Sequence, residues 1–92
     1  MVYRNNMQIM GDLLTATEEG GMNGIKITTL LRKGNISHSR FKTFISNMTS
    51  SGLINKIEYD GYNTFIITTK GKIYLEKYKQ FQSFTTSFGL EI

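Results

Sequence analysis

Apolar side chains recur along this chain at helical spacing in four places and at strand spacing in two, with breaks at glycine, asparagine and serine. Between Asn6 and Thr17, Met7, Met10 and Leu14 stand three and four residues apart, with Ile9 and Leu13 beside them, which predicts a first helix. Glu18 to Gly24 holds three glycines and an asparagine and ends that helix in a loop. Gly24 to Ile27 alternates as a very short strand, after which Ile27, Leu30 and Leu31 mark one face of a short second helix ending at Lys33. Gly34 and Asn35 tolerate positive φ, so the chain can turn sharply and Ile36 can point back toward the core. Ser37 is suited to cap a third helix that runs to about Ser51 and stops at Gly52. Its apolar residues Phe41, Phe44, Ile45 and Met48 fall at i, i+3, i+4 and i+7, a stripe that must face inward.

Beyond Gly52 the period shortens to two. Leu53 to Tyr59 places Leu53, Ile57 and Tyr59 on one side of a strand, and Thr64 to Thr68 is β-branched and aromatic. Asp60-Gly61-Tyr62-Asn63 lies between them, and an Asp-Gly step flanked by strand-like runs predicts a β-hairpin. Thr68 or Thr69 can then cap a fourth helix from Lys70 to about Phe81, with Tyr74, Tyr78 and Phe81 on one face and Phe84 and Phe88 as an extension of it.

Composition narrows the class. Ninety-two residues are too few for two independent cores, so residues 1–92 are expected to form one domain, with 70–92 as a C-terminal helix. There is no cysteine, which removes thiolate chemistry, disulfides and zinc-knuckle ligation, and fits a reducing, cytoplasmic setting. No apolar run has the length of a membrane span, so no membrane partner is expected. Five tyrosines and six phenylalanines are more than so small a core easily buries, and Tyr74, Tyr78, Phe81, Phe84 and Phe88 are therefore expected to form a dimer interface.

Charge is unevenly distributed. The net charge is +4, yet from Lys26 to Ile57 six bases (Lys26, Arg32, Lys33, Arg40, Lys42 and Lys56) occur with no Asp or Glu among them. The remainder sets five bases against all seven acids. A segregated basic patch attracts a polyanion and releases its counterions on contact. Helix, helix, tight turn, helix and hairpin is also the order in which an α+β winged helix-turn-helix is built: a three-helix core, a β-hairpin wing and a C-terminal helix. Helix three, about residues 37–51, is the element placed to enter a major groove, and its exposed face carries Ser39, Lys42, Thr43, Ser46 and Asn47 without a carboxylate.

The segments Leu30-Leu31-Arg32-Lys33-Gly34-Asn35-Ile36-Ser37, Ser51-Gly52-Leu53-Ile54 and Ile67-Thr68-Thr69-Lys70-Gly71 resemble the archaeal winged-helix proteins that include small basic chromatin-associated dimers. The resemblance spans roughly residues 7 to 80, and its short motifs recur in winged-helix regulators of the MarR and PadR types. It implies a double-stranded DNA-binding homodimer acting in transcription regulation or in the nucleoid. Ser37, His38, Ser39, Lys42, Thr43 and Ser46 would then face the major groove, while Lys56, Tyr62 and Asn63 on the wing would reach a minor groove or the backbone. Arg32, Lys33 and Arg40 border the recognition helix and are read as phosphate contacts. The chain departs from the chromatin-associated members after Lys79, where Ser, Thr and Phe replace a long coiled-coil helix.

Catalysis finds little support in these residues. His38 is the only histidine and has no carboxylate pair nearby in sequence, so neither a metal site nor another cofactor is expected. Ser37-His38-Ser39 lacks an aligned base and a third orienting group, and Thr69-Lys70-Gly71-Lys72 lacks the glycine-rich lead-in of a phosphate loop. The competing function is a winged-helix protein-interaction module, in which helix three and the aromatic tail would contact protein instead of DNA.

Overall fold

A computed structural model of the chain describes residues 5–87 and 89. The first helix, α1 (Asn6–Glu19), opens with a capping box: the Asn5 side chain accepts from the Gln8 N–H (2.8 Å), and the Gln8 amide oxygen accepts from the Asn5 N–H (3.0 Å). It runs two residues past the expected end before a 3₁₀ turn at Gly21–Asn23. Its inward residues are Ile9, Leu13, Leu14, Ala16 and Thr17, whereas Met10 is only half-buried and Met7 is exposed. The Met7-Met10-Leu14 stripe is therefore corrected. α1 lies between two helices and the sheet and buries most of its girth, so a single stripe does not describe it.

Strand β1 (Ile25–Lys26) leads directly into α2 (Ile27–Gly34), and Asn35 ends α2 in the left-handed region at φ 50°. The third helix, α3 (His38–Ser50), begins at Ser37, whose hydroxyl accepts from the Arg40 N–H (3.3 Å). Phe41, Phe44 and Met48 are buried and Ile45 is half-buried, so the expected core stripe holds.

Strands β2 (Ile54–Tyr59) and β3 (Tyr62–Ile67) pair antiparallel, and β1 adds to the other edge of β3, giving the order β1-β3-β2. The hairpin connection is shorter than the four residues expected. Asp60 and Gly61 alone make the turn, both at positive φ (52° and 79°), so Tyr62 and Asn63 already belong to β3, opposite Tyr59 and Glu58. The core face of β2 also differs from expectation. Ile54, fully buried, points inward, while Leu53 is buried just ahead of the strand and Tyr59 is exposed.

Helix α4 (Thr69–Ser87) is capped by Thr68, whose Oγ1 accepts from the Gly71 N–H (3.0 Å) and donates to the carbonyl oxygens of Gly52 and Leu53. The helix continues past Phe81 through the Ser/Thr-rich segment. There Thr85 donates to the Gln82 carbonyl (2.9 Å) and Ser87 to that of Ser83 (2.9 Å), so the hydroxyls are satisfied within the helix. α4 packs against α1, where Tyr78 lies over Gly11 so closely that a side chain at position 11 would collide with its ring. Residues from all four helices and all three strands meet in one core that includes Leu13, Leu30, Phe41, Met48, Ile54, Phe65 and Leu75.

Candidate nucleic-acid interface

Burying Phe41, Phe44 and Met48 turns the opposite side of α3 outward. Ser39, Lys42, Thr43 and Ser46 stand at i, i+3, i+4 and i+7 and form an exposed stripe with no carboxylate anywhere in the helix. Thr43 donates its hydroxyl back to the Ser39 carbonyl (3.3 Å), which leaves its oxygen outward as an acceptor. Ser37 and Ser39 approach to 3.5 Å at the N-terminal end of this stripe. His38 is exposed but lies about 100° round the helix from Ser39, on the flank of the stripe rather than within it.

The opposite flank is formed with α1. Arg40 and Asn47 are both exposed, and with Thr43, Phe44 and Asn6 they line an open cleft of about 280 Å³. The Arg40 guanidinium donates to Asn6 Oδ1 (3.4 Å) and lies 5.8 Å from the centroid of the Phe44 ring. Asn6 was not among the residues expected from the sequence. Thirty-four positions separate it from Arg40, and only the tertiary fold brings the start of α1 beside the first turn of α3.

The remaining bases of the Lys26–Ile57 segment lie on α2 and the sheet. Arg32 and Lys33 occupy the last turn of α2, where cations also favour the negative end of the helix dipole. Lys33 is partly committed, because its ammonium pairs with Glu19 at 3.2 Å. On the wing, the pairing register sorts the expected residues onto two faces. Lys56 is opposite Phe65 and Asn63 opposite Glu58, so both bases and acids there continue the face whose inner part, Ile25, Ile54 and Phe65, sits in the core. Tyr62 is on the other face with Tyr59 and Lys26, and the Lys26 ammonium stands 4.2 Å from the Tyr62 ring centroid. The structure thus brings Lys56 and Asn63 together and separates Tyr62 from them.

The aromatic residues expected at a dimer interface divide similarly. Tyr78 is buried, Tyr74 is half-buried, and Phe81 and Phe84 are exposed; Phe88 lies outside the described residues. Met7, Tyr74, Lys77, Tyr78 and Phe81 line a largely apolar groove of about 240 Å³ between α1 and α4. Among the described residues no cluster of His, Asp or Glu could hold a metal ion, and no helix is long and apolar enough to cross a membrane.

A helix pair joined by a tight turn, with the second helix presenting a polar face and a β-hairpin beside it, defines a winged helix-turn-helix protein. The winged helix-turn-helix family profile matches residues 3–86, and the chain belongs to that family. No curated protein matches the sequence. Solved structures sharing the fold include Sso10a-2, a DNA-binding protein from Sulfolobus solfataricus, with a TM-score of 0.75 and 20% identity over 92% of this chain and 85% of that one. F-93 of SSV1 is similar at a TM-score of 0.64 and 18% identity, over 86% of this chain and 91% of that one. AF1382 from Archaeoglobus fulgidus is similar at a TM-score of 0.62 and 18% identity, over 95% of this chain and 93% of that one.

Proposed function

We propose that this protein binds double-stranded DNA as a homodimer, with α3 in the major groove and the Lys56–Asn63 face of the wing against the adjacent backbone. The observation that carries the proposal is the outward stripe of α3, made of hydroxyls and an ammonium, with the Asn47 amide on its flank. Such groups can contact phosphates and base edges, and no carboxylate in the helix repels the duplex. Arg32, Arg40 and Lys42 supply charge around that stripe, and each phosphate they neutralise releases counterions. Sso10a-2, which shares the fold, is described as a DNA-binding protein, and this supports the same reading here.

The role that follows is transcription regulation or nucleoid association. In either role two copies would join through the exposed apolar side chains of α4 and present two recognition helices to one duplex. Anisotropy titration of a random-sequence duplex and of a genomic-fragment pool, both across a salt series, tests this. Affinity falling steeply with salt is the expected result. Enrichment of one paired motif from the pool identifies a regulator, and uniform recovery identifies a nucleoid protein. No binding at low salt overturns the proposal and points to a protein partner for α3.

A further inference from the structure

We infer that Asn6, an uncharged residue on α1, is a positioning residue that sets the affinity of the DNA contact by holding the Arg40 guanidinium in its binding pose. The inference rests on the DNA-binding reading and adds a residue from outside the helix-turn-helix to it. Arg40 stands in the first turn of α3, beside the Ser39-Lys42-Thr43-Ser46 stripe, and its side chain is exposed. An exposed arginine ordinarily samples many rotamers, and ordering it against a phosphate costs entropy at the moment of binding. Here two contacts from different elements restrict it beforehand: Asn6 Oδ1 accepts from Nη2 at 3.4 Å, and the buried ring of Phe44 lies beneath the guanidinium at 5.8 Å.

The chemistry of the pair favours an anion as the third member. Asn6 is neutral, so it takes one N–H of the guanidinium without cancelling its charge and leaves the other N–H groups for a phosphate oxygen. A carboxylate at position 6 would hold Arg40 at least as firmly but would neutralise it. Lys33 illustrates that contrast within the same molecule, since its ammonium is 3.2 Å from Glu19. The cleft bounded by Asn6, Arg40, Thr43 and Asn47 is open along the flank of α3, where the sugar-phosphate backbone passes a helix lying in the groove.

The test is a double-mutant cycle on DNA affinity, read across a salt series with a random-sequence duplex. Asn6→Ala is expected to weaken binding by about two- to five-fold at every salt concentration with the salt slope unchanged, because the charge remains and only its pose is lost. Arg40→Ala is expected to weaken binding and lower the slope by about one. In the Arg40→Ala background Asn6→Ala should cost nothing more, an outcome that a general structural role for Asn6 would not give. Asn6→Asp should weaken binding more than Asn6→Ala and lower the slope, since the new carboxylate pairs with the guanidinium. Equal thermal midpoints for the wild type and Asn6→Ala verify that the fold is intact. If Asn6→Ala costs the same with and without Arg40, or if Arg40→Ala leaves the slope unchanged, the inference is overturned while DNA binding stands. If the wild type itself does not bind, the underlying reading fails instead.

Discussion

The ammonium of Lys26 stands 4.2 Å from the centroid of the Tyr62 ring, which joins β1 to the start of β3 on the outer face of the wing. Two of the groups that could touch a nucleic acid are thereby turned toward each other, on the face opposite Lys56 and Asn63. If the helix side of the wing meets the duplex, Lys56→Ala lowers both the affinity and the salt slope, the latter by about one. Tyr62→Ala then leaves the slope unchanged and costs less affinity. Anisotropy at four salt concentrations separates the two, and a larger loss for Tyr62→Ala would show that the wing presents its outer face.

Not every base in the Lys26–Ile57 segment should count equally. Lys42 lies on the outward stripe of α3 with no acid in that helix, whereas Lys33 already faces Glu19 at 3.2 Å. The Lys33–Glu19 pair is exposed, so it contributes little to stability, but it does offset one charge of the patch. Lys42→Ala is therefore expected to weaken binding and reduce the slope by about one, and Lys33→Ala to do less. Glu19→Gln, which frees Lys33, should tighten binding modestly at low salt and lose that advantage as salt rises. Equal effects for Lys33→Ala and Lys42→Ala would mean that the ion pair opens on the duplex.

The features legible in the sequence are those written in short-range chemistry. Ser37 could be read as a cap, Asn35 as a left-handed turn and Asp60-Gly61 as a hairpin signal, because each depends on one or two residues and their own backbone. The Phe41-Phe44-Ile45-Met48 stripe was legible because α3 buries one side only, and its outward residues followed by subtraction. α1 defeated the same reasoning because neighbours cover it on more than one side. The faces of the wing were within reach: a two-residue turn at Asp60-Gly61 implies the Tyr59–Tyr62 pairing and hence the separation of Tyr62 from Lys56. The Asn5–Gln8 capping box is likewise a local signature, carried by two side chains three residues apart. The Asn6–Arg40 contact had no local signature at all, since it joins residues thirty-four positions apart that only the tertiary fold brings together.

Gly71 sits where α4 begins, and a Cβ there would fall on the carbonyl oxygen of Leu53. That oxygen accepts from the Thr68 N–H (3.1 Å) and from Thr68 Oγ1 (3.0 Å), so it is tied to the start of the helix and cannot easily retreat. In a helix interior Gly→Ala ordinarily stabilises by about 1 kcal/mol. Here the steric conflict with backbone should outweigh that gain and leave a net loss of about 1–3 kcal/mol. Urea unfolding should show Gly71→Ala with a lower midpoint and an unchanged m-value. A midpoint above the wild type would show that α4 is free to shift away from the residue that precedes β2.

Whether the aromatic residues of α4 join two copies can be tested only with the ones that face outward. Tyr78 is a poor probe, because it is buried over Gly11 and Tyr78→Ala would loosen the protomer itself. Ile73, Phe81 and Phe84 are 54%, 43% and 56% exposed and lie within about 80° of one another on the helix, with Lys77 between them and Met7 of α1 near Phe81. Exposed apolar side chains gathered on one helix face are covered most simply by a second copy about a two-fold axis, with the Lys77 ammonium reaching to the rim. The wild type is expected to sediment as a dimer at micromolar concentration. Phe81→Glu and Phe84→Glu together should yield a monomer with an unchanged helical circular-dichroism signal, since neither side chain is buried in the protomer. The monomer should also show about half the salt slope of the dimer on DNA, because half as many phosphates are neutralised in each complex. A wild type that sediments as a monomer at that concentration overturns the dimer, and with it the expectation of a two-fold symmetric binding site, while the contacts of a single α3 would remain open to the same titrations.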